Sequence, residues 1–221
     1  MEAMKSRTGL DRDERQVKDS ILRMASLVET QIRTSIRALV DRDDVLAAGV
    51  IAADSRVNEA QRAVNEGVTT AIATQQPVAR DLRFLLALNH VAYELERIGD
   101  HATSVAKQVR RLAGEPVMPG TREIAQMGSI AADLVRGILE ALVDVDEARA
   151  REVAARDDEI DHLYRAVFAQ LVEAMRAEPA TIEHGTRVIL TAHWIERIGD
   201  RVTNIAEDVV YLATGSIEDL N

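Results

Sequence analysis

Glu96-Arg97-Ile98-Gly99-Asp100 recurs as Glu196-Arg197-Ile198-Gly199-Asp200, and this repeated ERIGD decides the fold. Compared without gaps, Ala92 to Ala113 and Ala192 to Ala213 agree at 11 of 22 positions. Further upstream the offset becomes 103: Ala38-Leu39-Val40-Asp41 matches Ala141-Leu142-Val143-Asp144, and Arg62-Ala63-Val64 matches Arg165-Ala166-Val167. Similarity spread over that span is a duplicated half. The chain therefore reads as two copies of one unit, residues 1–114 and 122–221, joined by a linker over 115–121. The stretch around that linker, AGEPVMPGT from Ala113 to Thr121, holds two prolines and two glycines.

Breakers cut each half into three segments. The first half breaks at Asp41-Arg42-Asp43-Asp44 and at Gln75-Gln76-Pro77, where Pro77 suits the first turn of a new helix. The second breaks near Asp144-Val145-Asp146 and at Glu178-Pro179. The segments carry helical periodicity. Leu88, Leu95, Ala102 and Val109 recur every seven residues with Val91, Ile98, Val105 and Leu112 between them; Val188, Ile195, Val202 and Val209 repeat the frame with Ile198, Ile205 and Leu212. A helix from Val78 to Ala113 would be roughly 54 Å long at 1.5 Å per residue. Short connections make successive helices antiparallel, so the expected fold is all-α: two tandem, related three-helix bundles, six long helices in all.

Composition agrees. Of 221 residues, 47% are apolar but only 3% aromatic, so the core must be built from Leu, Ile, Val, Ala and Met, and Met24 and Met127, equivalent across the repeat, read as core. The absence of cysteine excludes disulfides and thiolate metal sites. A net charge of −10 argues against a nucleic-acid or anionic-lipid surface and suits cations. The charged start has no signal-peptide pattern, and the longest apolar runs are five residues, such as Phe84 to Leu88. The expectation is a cytoplasmic protein without membrane insertion.

The repeated acids stand apart from the seam. With Leu95 at heptad position a and Ile98 at d, Glu96 falls at b and Asp100 at f, and Glu196 and Asp200 follow suit. Four residues apart, each pair lies side by side on its helix, where like charges destabilise by a few tenths of a kcal/mol. The preceding helix repeats the device with Asp54 and Asn58, and with Asp157 and Asp161. If the pairs converge, each half offers several oxygens to hard or borderline metals. His193 precedes Glu196 by one turn, and Thr203, Asn204 and Glu207 extend the second strip, against Thr103, Ser104 and Lys107 in the first. Spacing alone leaves a second reading open, surface ion pairing, with Arg62 and Arg165 one turn beyond Asn58 and Asp161. Gly99 and Gly199 each cost about 1 kcal/mol relative to Ala in a helix interior, so close approach of a neighbouring helix is expected there. Trp194 reads as core or interface packing, and His90, His101 and His184 as ordinary surface or partly buried histidines.

These features resemble the PhoU family of phosphate-uptake regulators over almost the whole chain. The resemblance rests on LERIGDHA (Leu95–Ala102), IERIGDRVTNIAEDVVYLATG (Ile195–Gly215), PVARDLR (Pro77–Arg83) and the pairs in DSRVN and DDEID; EPATIEHGTR departs from the PVARDLR pattern. It implies a cytoplasmic, non-catalytic brake on the ATPase subunit of a phosphate ABC importer and on a phosphate-sensing histidine kinase. It also implies iron or zinc, in multinuclear sites, held by Asp54, Asn58, Glu96 and Asp100 and by Asp157, Asp161, Glu196 and Asp200. Asn58 replaces an acid and lowers the charge of the first site. Long amphipathic helices often pair, so a homodimer is expected. Two other readings compete. One is a metal-free scaffold with solvated acids. The other is a carboxylate-bridged di-iron enzyme, which normally needs two Glu-x-x-His pairs; the sequence supplies one such spacing, Glu159 with His162, and its repeated acids lie off the seam.

Overall fold

The computed structural model describes residues 2–220, with side chains from Thr8 onward. Helices α1 (Glu2–Asp41), α2 (Asp44–Gln75) and α3 (Ala79–Arg111) form the first half. The second contains α4 (Thr121–Asp144), α5 (Glu147–Ala155), α6 (Asp157–Ala177) and α7 (Ile182–Thr214), with a short 3₁₀ turn at Pro179–Thr181 before α7. Six helical rods result, because α5 and α6 are two pieces of one rod interrupted at Arg156. No strand occurs among the described residues.

The duplication governs the turns as well as the helices. Arg42 and Val145, equivalent at the 103 offset, both take left-handed backbone angles, with φ of 56° and 51°. The next residue closes the turn in each half: Asp43 N–H donates to the Ala38 carbonyl and Asp146 N–H to that of Ala141, both at 2.9 Å. Those aspartates then cap the following helix, accepting from the Leu46 and Arg149 amides at 2.8 and 3.0 Å. A side-chain cap of this kind stabilises by about 1 kcal/mol. Pro77 does not enter the first turn of α3; it precedes an extended Val78, and the helix begins at Ala79. A proline biases the residue before it away from α geometry, and the chain turns through left-handed Gln76.

Most heptad positions lie in the core: Leu88, Leu95, Ala102, Ile98, Val105, Ile195, Ile198, Val202 and Ile205 are all 1% exposed or less, as are Met24 and Met127. One apolar cluster runs through both halves. The halves meet along two antiparallel contacts. In one, α1 lies on α4, where Lys18 donates to the Val143 carbonyl at 2.6 Å and Arg33 meets Asp133 at 2.9 Å. In the other, α3 lies on α7, where His90 meets Asp208 at 2.7 Å, Arg201 and Asn204 reach Glu94 at 3.4 and 3.3 Å, and the ring of His101 stacks on Trp194 at 5.4 Å. Rods α2 and α5–α6 sit outside this frame, α2 against α1 and α3, α6 against α4 and α7. Each half thus leaves a groove between an outer rod and the helix carrying ERIGD.

Candidate metal centre

The motif glycines have a common use. A Cβ on Gly199 would stand 1.9 Å from Asp157 Oδ1 and 3.3 Å from Ile160 Cδ1; a Cβ on Gly99 would stand 3.0 Å from Gln31 Oε1 and 3.2 Å from Val57 Cγ1. Val57 and Ile160 are equivalent across the repeat. The glycines therefore bring the outer rod close to α3 or α7, and each also leaves room for a polar side chain. At Gly199 that side chain is a carboxylate.

In the second half, Asp157, Asp161, Glu196 and Asp200 act on one another. Burial, then the charges of Asp200, Asp161 and Glu196, push Asp157 up to about 7. Glu196 is also raised, by burial and by Asp200, against the opposing influence of His193. His193 Nδ1 lies 3.2 Å from Glu196 Oε2, a separation without hydrogen-bond alignment. Two carboxylate oxygens, Asp157 Oδ1 and Glu196 Oε2, are buried with no hydrogen-bond donor. An acceptor buried in that way normally has a partner. The arginine inside the motif supplies part of the compensation, since Arg197 reaches Asp200 at 2.7 Å, while Arg165 reaches Asp161 at 3.4 Å.

The first half assembles its set with less strain. Asp54 Oδ1 accepts from the Thr103 hydroxyl at 2.9 Å, and Asn58 approaches Asp54 Oδ2 at 3.5 Å. Glu96 is raised by burial and Asp100, and Asp100 by burial and Asp54, with Arg97 opposing both. The pair Arg97 to Asp100 spans 3.9 Å. None of the four side chains carries an orphaned buried oxygen among the described residues.

Hard oxygen donors, mutual charge repulsion and two unpartnered buried oxygens fit a cation in the second groove; satisfied Asp54 and neutral Asn58 make the first a poorer fit. Among the described residues, no three His, Asp or Glu side chains are drawn together into a finished chelate. The extension of the strip along α7 does not hold. Glu207 accepts the Leu220 amide at 3.1 Å and so ties down the C-terminal stretch, Asn204 turns to Glu94 across the α3–α7 contact, and Thr203 is buried. The motif arginines were the participants missed from sequence; their place inside ERIGD, three residues before the aspartate, was the available signal.

Two antiparallel α-helical halves, each with an acidic groove centred on the same pentapeptide, define a class of duplicated helical proteins. The PhoU domain model matches residues 21–109 and again 124–209. The chain belongs to the PhoU family. It is 36% identical over 210 residues to a phosphate-specific transport system accessory protein PhoU homolog of Clostridium acetobutylicum, covering 95% of this chain and 96% of that one. A Rhizobium meliloti homolog of the same description is 35% identical over 197 residues, 89% and 83% of the two chains. Among solved structures, PhoU from Pseudomonas aeruginosa superimposes with a TM-score of 0.89 at 34% identity, covering 93% and 99%. The phosphate transport system regulatory protein PhoU from Streptococcus pneumoniae gives 0.89 at 28% identity, covering 95% and 99%.

Proposed function

We propose that this chain is a non-catalytic regulator of phosphate uptake, holding the ATPase subunit of a phosphate ABC importer and a phosphate-sensing histidine kinase in restrained states. Membership of a family whose relatives are described as accessory proteins of phosphate transport supports the regulatory role. No helix among the described residues is long and apolar enough to cross a membrane, and the reading places the protein in the cytoplasm, reaching the importer from that side and working as a homodimer.

The orphaned Asp157 carboxylate, wedged against Gly199 and lifted to about 7, carries the metal part of the proposal. Asp157, Asp161, Glu196 and Asp200 would hold iron or zinc in the second groove, and Asp54, Asn58, Glu96 and Asp100 a weaker site in the first. The metal would supply positive charge that neutralises the carboxylates. The protein's own side chains position α6 against α7: Ile160 seats in the core beside Gly199, while Arg197 and Arg165 pair with Asp200 and Asp161. Those same two ion pairs favour a second reading, in which arginine alone balances the acids and the surface is a metal-free scaffold.

Elemental analysis of tag-free protein beside the Glu196→Ala/Asp200→Ala double variant separates the two, with binding to the purified ATPase subunit measured in parallel. One or more Fe or Zn per chain, lost in the variant together with subunit binding, is the expected result. Equal metal content in both proteins would overturn the metal site; undiminished subunit binding by the variant would show that the grooves are not the docking surface.

A further inference from the structure

The linker between the halves covers a pocket of about 560 Å³ with walls from both of them. Leu39 comes from α1, Val109 and Leu112 from the end of α3, Met118 from the linker, Ile124 from α4 and Val188 from α7. Ligand sites typically have volumes of roughly 300–1,000 Å³. One corner of the pocket is polar. The Arg42 guanidinium donates to the Glu115 carbonyl, and the Glu115 carboxylate stands 3.8 Å from His184 Nδ1, too far for a hydrogen bond. All three residues line the pocket.

His184 is the anomaly. Its side chain is only 10% exposed, yet among the described residues neither ring nitrogen makes a hydrogen bond, and neither is sealed from solvent. Because Glu115 belongs to the linker, the nitrogen turned toward it faces the pocket. A buried polar ring without a partner opposes folding. Its counterpart at the 100 offset is Phe84, which packs against the core and needs none. Val188 likewise stands where the first half has the larger, fully buried Leu88. Packing alone would favour phenylalanine and leucine in both halves. The two exchanges open space and place a hydrogen-bonding ring on its wall.

We propose that this pocket binds a neutral amphiphile, an aliphatic chain ending in a hydroxyl group, with the hydroxyl bonded to the His184 ring. The size follows from volume: an engineered cavity of about 150 Å³ holds benzene, so 560 Å³ takes roughly 20 non-hydrogen atoms. The body follows from the walls, whose apolar side chains include no aromatic ring on which a flat molecule would stack. The head follows from the charges. Arg42 and Arg122 balance Glu115 and Glu123 along the lining, leaving no net charge to offset the desolvation of an ionic head. Neutral imidazole presents one donor and one acceptor; a hydroxyl, which is both, pairs with whichever nitrogen meets it. None of the second-groove carboxylates lines this pocket, so binding here does not depend on metal there.

The test uses the full chain with 1-octanol as probe, and octanoate, octylammonium and 1-fluorooctane as controls of equal chain length. Binding is followed by ¹H–¹³C NMR through the His184 ring and the Met118 methyl. 1-Octanol should shift both signals saturably and bind about tenfold more tightly than either ion. It should bind about fivefold more tightly than 1-fluorooctane, the worth of one hydrogen bond. His184→Leu should erase that second preference. Ala125→Trp, which fills the pocket from a half-buried position on α4, should weaken octanol binding by about tenfold or more while melting cooperatively. Glu196→Ala/Asp200→Ala should bind octanol as the parent chain does, so failure of the metal proposal would leave this one standing. Equal affinity for 1-octanol and 1-fluorooctane, no saturable shift, a preference unchanged in folded His184→Leu, or undiminished binding to folded Ala125→Trp would overturn it.

Discussion

Replacing Asp157 by Asn tests the electrostatics of the second groove directly. In an unfolded chain the carboxyl titrates near its ordinary value of 3.8; folded, it is held to about 7, chiefly by burial and then by Asp200 and its neighbours. The folded state therefore binds a proton that the unfolded state has released, and stability falls as pH rises between those two values. At 1.36 kcal/mol per unit the full loss above pH 7 would be about 4 kcal/mol, and screening at a half-buried site reduces it to roughly 2. About half has accrued by pH 5.5. Asn has no such penalty, but forfeits an acid in the first turn of α6, worth about 0.5 kcal/mol against the helix dipole. In chelator-treated protein, Asp157→Asn should therefore be near parity or slightly more stable at pH 5.5, and about 1.5 kcal/mol more stable at pH 8.5. That gap corresponds to roughly 3–6 °C in Tm for a domain of this size. Thermal melts at the two pH values, in matched salt, measure it. A gap that does not grow with pH, or a parent chain more stable at pH 8.5, would refute the assignment of Asp157 as a buried, repelled carboxylate.

Gly199→Ala should separate fold from site. The new Cβ takes the place of Asp157 Oδ1, and expelling a repelled carboxylate offsets little of the roughly 1 kcal/mol that Ala gains in helix propensity. Without metal the variant should melt at or slightly above the parent at pH 8, yet lose metal uptake as read by elemental analysis; a large fall in Tm would mean that α6 cannot adjust. His90 is raised by its bond to Asp208, with Glu94 adding to it. The stability this contributes is fully present below the ordinary histidine value of 6.5 and disappears as pH rises through the raised folded value. His90→Gln should therefore lose about 1 kcal/mol at pH 6 and much less at pH 9.5, checked by urea denaturation at both.

Much of this architecture was legible because two signals reinforced each other. The heptads of α3 and α7 named their buried residues, and the repeat showed that one half's topology would be the other's. Boundaries followed where aspartate clusters cap the next helix, as at Asp43 and Asp146. The interruption at Arg156 was hidden, since AARDDEID contains no glycine or proline; the break is a single unwound turn between helical pieces. It places Asp157 in the first turn of α6, where the carboxylate meets Gly199. Pairing of the acids was visible from their spacing. The role of Asp157 as the most perturbed member was not, because it depends on depth in a groove that exists only once α6 lies on α7. The divergence of Asn204 and Glu207 from the strip was equally hidden, since Asn204 is claimed by Glu94 on α3 and Glu207 by the Leu220 amide beyond the end of α7.

The contact between α3 and α7 bears on how the duplicated halves choose each other. Glu94 and Trp194 are equivalent, as are His101 and Arg201, so one interface holds the same site in two chemistries: an ion pair on one side, stacked rings on the other. His90 and Asp208 likewise face each other where their equivalents are Leu190 and Gln108. Pairing two first halves, or two second halves, along this contact would leave His90 facing Gln108, or Asp208 facing Leu190, so the bond of 2.7 Å between His90 and Asp208 forms only between unlike halves. Like halves are thereby disfavoured and unlike halves preferred. Divergence after duplication has made the two copies into lock and key, so a nascent chain closes on itself rather than exchanging halves with its neighbours.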